Sequence, residues 1–192
     1  AVSTLYTALK LRQWHQRLVG KNRAAVLCPS AVQGNWKEEF ERFTAETAPR
    51  VISQGLLSNA RRPENREKVK KTLEDASVLY IDEAHNLYND SARTRRVKGA
   101  KAQQRVLMTA TPVGRSLDDI RPLIELLDPN NLSDEVLSLL DGLPAHRSFT
   151  QLDPKHRQIL TKAVSAVTAR HTIQELNTMI DADPNAYRDD RG

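Results

Sequence analysis

Four apolar residues, Val78-Leu79-Tyr80-Ile81, run without a break into two carboxylates, Asp82 and Glu83, and then into Ala84 and His85. An unbroken apolar run of this length reads as a strand buried on both faces, the kind found in parallel sheets covered by helices on each side. Two adjacent acids cannot enter such a core, so the strand must stop there, at the carboxyl edge where open α/β sheets bind ligands. The chain around it follows suit. Val2, Leu5, Tyr6, Leu9 and Leu18 form a helical stripe over residues 2–18, which Gly20 ends. Ala24-Ala25-Val26-Leu27-Cys28 is a second buried strand, closed by Pro29, and Trp36, Phe40 and Phe43 recur at helical spacing as a core-facing stripe. Residues 50–53 and 105–109 read as further strands, and Ser116 and Asp119 stand at capping-box spacing before an apolar helix that carries Pro122 in its first turn. The pattern predicts an α/β fold with a mostly parallel sheet flanked by helices.

From Asp128 onward the turn residues Pro129, Asn130 and Asn131 introduce a different texture. Residues 133–140 and 154–180 look helical, and 181–192 read as a charged, poorly ordered end. We therefore expect an α/β lobe over 1–128 and a helical extension over 129–192, within the usual size of one domain for 192 residues. The single cysteine, Cys28, excludes an internal disulfide and a zinc site built of cysteines, and its place in a strand predicts a buried, inert thiol. No apolar run approaches the length of a membrane span, and the first residues lack a signal-peptide pattern, so the expectation is an intracellular protein, cytoplasmic or in the nucleoid or nucleus, with no membrane partner. A net charge of +5 permits DNA or RNA as a partner without demanding one.

The acidic turn has the form of a Walker B segment of DEAH type. Asp82 at a rigid strand end can orient Mg2+, a small hard cation that prefers oxygen ligands and keeps several waters. Glu83, one residue further, can polarise an attacking water. Alone, an acidic pair after an apolar run can simply mark a solvated turn. The full tetrad Asp82-Glu83-Ala84-His85 is more restrictive, and Leu107-Met108-Thr109-Ala110-Thr111-Pro112 ends the next strand with two hydroxyls able to bond to it.

In order and wording these segments resemble the Swi/Snf-related branch of the superfamily 2 helicase-like ATPases, whose first lobe is a RecA-like P-loop NTPase fold. Val26-Leu27-Cys28-Pro29-Ser30 followed by Asn35-Trp36-Lys37-Glu38-Glu39-Phe40 is similar to motif Ia and its helix. The tetrad with Asn86 resembles motif II, and residues 107–112 continuing through Ser116-Leu117-Asp118-Asp119 resemble motif III. Arg170-His171-Thr172 matches the end of the first lobe only loosely. The resemblance implies a lobe that binds ATP with Mg2+ and works with a second RecA-like lobe of the same parent chain to move along nucleic acid, double-stranded DNA in this branch. Asp82, Glu83, Ala84 and His85 would meet the nucleotide, with Asp82 as metal ligand and Glu83 as the catalytic group. His85 with Thr109, Ala110 and Thr111 would couple hydrolysis to movement, and Pro29 and Ser30 would lie beside a phosphate of the tracked strand.

One expected piece is absent. The phosphate cradle G-x-x-x-x-G-K followed by Ser or Thr occurs nowhere; Gly20-Lys21 is followed by Asn22 and has His15 where the first glycine belongs. In the resembled family this loop directly precedes the helix assigned to 2–18, which places it upstream of Ala1. The alternatives are a degenerate, non-hydrolysing binding module that has lost the loop, or the motor part of a restriction or phage-defence complex. The best local hint of nucleic-acid contact lies between Asp90 and Asp118, where no acid occurs among Arg93, Arg95, Arg96, Lys98, Lys101, Arg105 and Arg115. A solvated basic helix would show the same composition. Phosphoryl transfer is catalysed mainly by positioning and charge stabilisation, and an arginine finger alone is worth roughly a thousandfold. The 192 residues by themselves should therefore hydrolyse ATP negligibly; DNA-stimulated turnover in a phosphate-release assay would contradict this.

Overall fold

The computed structural model describes residues 24–43, 49–58, 62–109, 120–127, 133–143, 149–167 and 173–182. The helix expected over 2–18, Ala110, Thr111 and Pro112, the capping pair Ser116 and Asp119, and Arg170-His171-Thr172 lie outside them.

Four strands, β1 (Ala24–Cys28), β2 (Arg50–Ser53), β3 (Val78–Ile81) and β4 (Gln104–Leu107), form one sheet in the order β2-β1-β3-β4. Every pairing is parallel, with Val26 opposite both Val51 and Tyr80, and Ile81 opposite Leu107. Parallel neighbours need crossovers, which α1 (Gln33–Phe43), α2 (Gln54–Ser58) with α3 (Pro63–Asp75), and α4 (Ala92–Lys98) supply. The central strands are the apolar ones: all of β3 is buried, while β4 at the edge is only half-buried. The last strand begins and ends earlier than the 105–109 expected: Gln104 already pairs in the sheet, and beyond Leu107 the Met108 carbonyl turns to the Ala84 amide.

Strand alternation divides the core. Leu27, Leu79 and Ile81 point to one face, where Leu57, Val69, Leu73, Val97 and Leu126 cover them. Val26, Cys28, Val78 and Tyr80 point to the other, against Trp36. The core role read for Trp36 holds, since it is 1 % exposed. Capping agrees with composition at two helices: Ser91 accepts from the Thr94 amide before α4, and Ser133 from the Val136 amide before α6 (Asp134–Gly142).

Within the stretch 154–180 read as helical, α7 (Pro154–Val167) and α8 (Ile173–Ala182) are helices, and residues 168–172 between them lie outside the described residues. The C-terminal part does not stand apart from the sheet. Helix α5 (Ile120–Leu127) buries Leu126 against the sheet and turns Ile120 and Ile124 to Val136, Leu152 and Leu160. Among the described residues no helix is long and apolar enough to cross a membrane. Leu79, fully buried in β3, is the natural probe of this core: Leu79→Ala should lower the unfolding free energy by about 2–5 kcal/mol in urea titrations. Phe149→Ala, at a side chain left 39 % exposed, should change it by no more than about 0.5 kcal/mol.

Candidate functional site at the carboxyl edge of the sheet

Strand β3 ends at Ile81, but its hydrogen bonding continues on both sides. The Asp82 amide donates to the Leu27 carbonyl at 2.8 Å, the Met108 amide to the Ile81 carbonyl at 2.8 Å, and the Ala84 amide to the Met108 carbonyl at 2.9 Å. Between these anchors the chain reverses at Glu83, whose φ of 49° and ψ of 52° are left-handed. It is the one non-glycine residue with positive φ among the described residues, a conformation that L-residues adopt at a cost and that concentrates at functional sites. A 3-10 turn over Ala84–Leu87 follows, and its buried Ala84 and Leu87 pin the reversal onto the sheet edge.

Side chains then fix the acids. By alternation Asp82 falls on the face of Tyr80, and there the Trp36 indole Nε1 donates to Asp82 Oδ2 at 2.9 Å. The Glu83 amide donates to Asp82 Oδ1 at 3.0 Å. Gln54, 2 % exposed, donates through Nε2 to the Asp82 main-chain oxygen at 2.6 Å and accepts from Asn86 Nδ2 at 3.4 Å. His85 Nδ1 lies 3.1 Å from Glu83 Oε2 and 3.2 Å from Thr109 Oγ1, so one ring nitrogen faces both Glu83 and the chain that leaves β4. The Glu83 and His85 side chains keep 41 % and 37 % of their surface open. Cys28 beside them is buried, and burial first, then the Asp82 charge, pushes its thiol up to about 12; it stays protonated and unreactive at neutral pH.

The donor set suits a particular kind of ion. Among the described residues no three or more His, Cys, Asp or Glu side chains gather as a metal cage. An ionised carboxylate offers about four lone-pair positions, of which Asp82 uses two. A hard cation that keeps most of its waters and takes one or two carboxylates plus substrate phosphates fits this, and Mg2+ is that cation.

Pro29 and Ser30 sit at the same edge, where β1 gives way to a 3-10 turn over Ser30–Val32 and then to α1; Pro29 is half-buried and Ser30 exposed. Residues 92–98 of the basic segment form α4, and the cations of that helix have partners inside the chain, while Arg115 lies outside the described residues. Arg93 donates to Ser58 Oγ at 2.9 Å, Arg96 to the Leu57 carbonyl, and Lys98 to Glu125 at 3.1 Å. Arg95 pairs with Asp90 at 3.0 Å, with 61 % of its side chain exposed. Arg105 spans the Leu126, Lys98 and Ala100 carbonyls at 3.1, 3.0 and 2.8 Å. Of the site residues named from sequence, Asp82, Glu83, Ala84, His85 and Thr109 come together with Pro29 and Ser30 at the sheet edge, and α4 is separate. Gln54 and the polar use of Trp36 escaped sequence reading. A polar residue directly after a buried strand is the only signal that pointed to Gln54.

A parallel sheet covered by helices, with an acidic turn at its carboxyl edge between two strand ends, is the arrangement of a RecA-like lobe. Residues 57–183 match the SNF2-related domain, and the chain belongs to that family. It is 34 % identical over 177 residues to the mouse protein named chromodomain-helicase-DNA-binding protein 1-like, covering 80 % of this chain and 20 % of the relative. It is 25 % identical over 168 residues to the uncharacterized ATP-dependent helicase YqhH of Bacillus subtilis, covering 78 % of this chain and 29 % of that one. The chain thus spans less than a third of the length of these curated relatives. In fold it is similar to the Sulfolobus solfataricus SWI2/SNF2 ATPase core in complex with dsDNA, with a TM-score of 0.65, 20 % identity, and 96 % of this chain and 40 % of that chain covered.

The left-handed turn carries a stability consequence. Glycine accepts φ near 49° without a Cβ clash, so Glu83→Gly should raise the unfolding free energy by about 0.5–1 kcal/mol in urea titrations, even though the substitution removes a side chain of the site. Unchanged or lower stability would show that Glu83 sits there without strain.

Proposed function

We propose that the chain is the first motor lobe of an ATP-dependent translocase or helicase-like enzyme acting on nucleic acid, with double-stranded DNA as its track. The α/β lobe spans 1–128 and the helical extension, leading towards a second lobe of the same parent chain, spans 129–192. The observation that carries this reading is the acidic turn: Asp82 and Glu83 diverge at the sheet edge while His85 bridges Glu83 and Thr109.

In this reading Asp82 holds Mg2+ and Glu83 polarises the water that attacks the γ-phosphate. Bound Mg2+ supplies charge neutralisation on the β- and γ-phosphates. Glu83 is suited to its role because the left-handed backbone directs it away from the carboxylate that precedes it, and because a third of its surface or more meets solvent. Ala84 contributes through its backbone, whose amide bonds to Met108 and ties the nucleotide side of the turn to the strand that leads to Thr109. His85, Thr109, Ala110 and Thr111 then pass the state of the nucleotide to the neighbouring motif. Pro29 and Ser30 approach a phosphate of the track, since an exposed turn next to the acidic edge brings nucleic acid and nucleotide within one sheet end. Among the cations of α4, Arg95 is largely exposed in a surface pair and can turn to the track; Arg93, Arg96 and Lys98 would have to exchange internal partners for phosphates. On its own the 192-residue chain is inactive, because the arginines of a second lobe and a phosphate cradle are needed for turnover.

The test is Glu83→Gln in the full-length protein. Loss of a general base should lower DNA-stimulated kcat by about 100-fold or more while ATP binding, read by equilibrium titration of a fluorescent nucleotide, persists. Wild-type turnover in that variant would reject the assignment.

A further inference from the structure

We propose that Trp36 is a positioning residue for the acidic turn: its indole N–H sets the orientation of the Asp82 carboxylate and ties it to the Pro29–Ser30 turn. The inference rests on the reading of Asp82 as the acid that holds Mg2+.

A tryptophan kept only for packing places its N–H on whatever acceptor lies near, most often a backbone carbonyl or water. Here the acceptor, 46 residues away in sequence, is the carboxylate at the centre of the candidate site, at 2.9 Å. The ring is 1 % exposed and enclosed by Val26, Cys28, Val51, Val78 and Tyr80, so it cannot swing away from that acceptor. The indole N–H donates and never accepts, so it holds an acceptor oxygen of Asp82, Oδ2, turned towards α1. Oδ1 is held independently by the Glu83 amide at 3.0 Å. Two donors from different elements thus define the plane of the carboxylate and leave its remaining lone pairs to face the open side of the turn.

The helix that carries Trp36 has a short tether to the other half of the site. Residue 36 lies in the first turn of α1, which follows directly on the 3-10 turn over Ser30–Val32; the Val32 amide donates to the Pro29 carbonyl at 3.2 Å. A phosphate seated on Pro29 and Ser30 would press on the start of this helix, and the rigid indole converts any shift of the helix into a rotation of the Asp82 carboxylate. Hydrogen bonds to a metal-holding carboxylate commonly tune metal affinity by 10- to 100-fold, so the link carries enough weight to matter.

The experiment has two arms. In the first, the indole 15N–1H resonances of the two tryptophans, Trp14 and Trp36, are recorded for the chain without ligand, with Trp14→Phe supplying the assignment. Asp82→Ala should move the Trp36 resonance upfield and speed its exchange with solvent. In the second, Trp36→Phe in the full-length protein, which keeps the aromatic bulk and loses the N–H, should raise the Mg2+ concentration for half-maximal DNA-stimulated turnover about tenfold. The KM for ATP at saturating Mg2+ should stay within about twofold, as expected when uniform substrate binding is untouched. A Trp36 resonance indifferent to Asp82→Ala, or a Mg2+ dependence that superimposes on wild type, overturns the proposal. If the wild-type protein shows no turnover at all, the motor reading fails and the resonance arm alone decides the inference; the same arm decides it if Trp36→Phe does not fold.

Discussion

The hydrogen bond from the Asp82 amide to the Leu27 carbonyl, at 2.8 Å, is the constraint on which the site depends. It extends the β1–β3 ladder one residue past the end of the strand, so the first acid leaves the core from a backbone still locked in sheet geometry. On the far side the Met108 amide does the same to the Ile81 carbonyl. A carboxylate on an ordinary loop would sample many orientations. This one hangs from a backbone fixed on both sides, and side chains held in one orientation are what catalysis by positioning requires.

The turn that follows runs against local preference. A glutamate at φ 49° is disfavoured by roughly 1–2 kcal/mol relative to a right-handed backbone. What holds it there is distributed: buried Ala84 and Leu87 beneath the turn, the Ala84 amide on Met108, and Gln54 on the Asp82 carbonyl. The turn's own apolar residues, the chain beyond β4 and Gln54 share the task, so none has to bear the strain alone. The left-handed residue lets two adjacent acids diverge, which a continuing strand achieves only by sending the second into the opposite core face. Apolar Leu27, Leu79 and Ile81 occupy that face, where an unpaired carboxylate would be costly.

Much of this was legible beforehand, for reasons that differ by residue. The runs 24–28 and 78–81 announce buried parallel strands because continuous apolar sequence has few other uses, and both appear within the expected bounds. The acidic tetrad is equally plain, since carboxylates directly after such a run have nowhere to go but the sheet edge. Strand β4 was harder: Met108 is apolar and reads as strand, but its amide bonds to a main-chain oxygen at the strand's end and the chain then departs. Gln54 and the second role of Trp36 were out of reach. Periodicity reports which face a side chain takes, and Trp36 does face the core; it says nothing about which polar group waits 46 residues further along to receive an indole proton. Long-range polar partnerships are set by tertiary packing and leave no local trace.

The same limit governs the basic segment. Counting cations between residues 90 and 118 suggests a surface made for phosphates, yet in three dimensions several of these charges fasten helices. Arg105 gathers main-chain carbonyls around the ends of α4 and α5, where the helix dipoles favour a cation. Lys98 meets Glu125, which also pairs with Arg121, and Arg121 continues to Asp141 in α6. Burial pushes the Glu125 carboxyl up, but its bonds to Arg121 and Lys98 outweigh this and leave it below its ordinary range. The chain of contacts runs from the basic helix through α5 into the helical extension, beside the two apolar clusters that α5 also joins. A cation with a carboxylate or carbonyl partner can still face a polyanion, but binding must then exchange one partner for another. The segment is thus a junction between α4, α5 and the helices that follow as much as a charged surface.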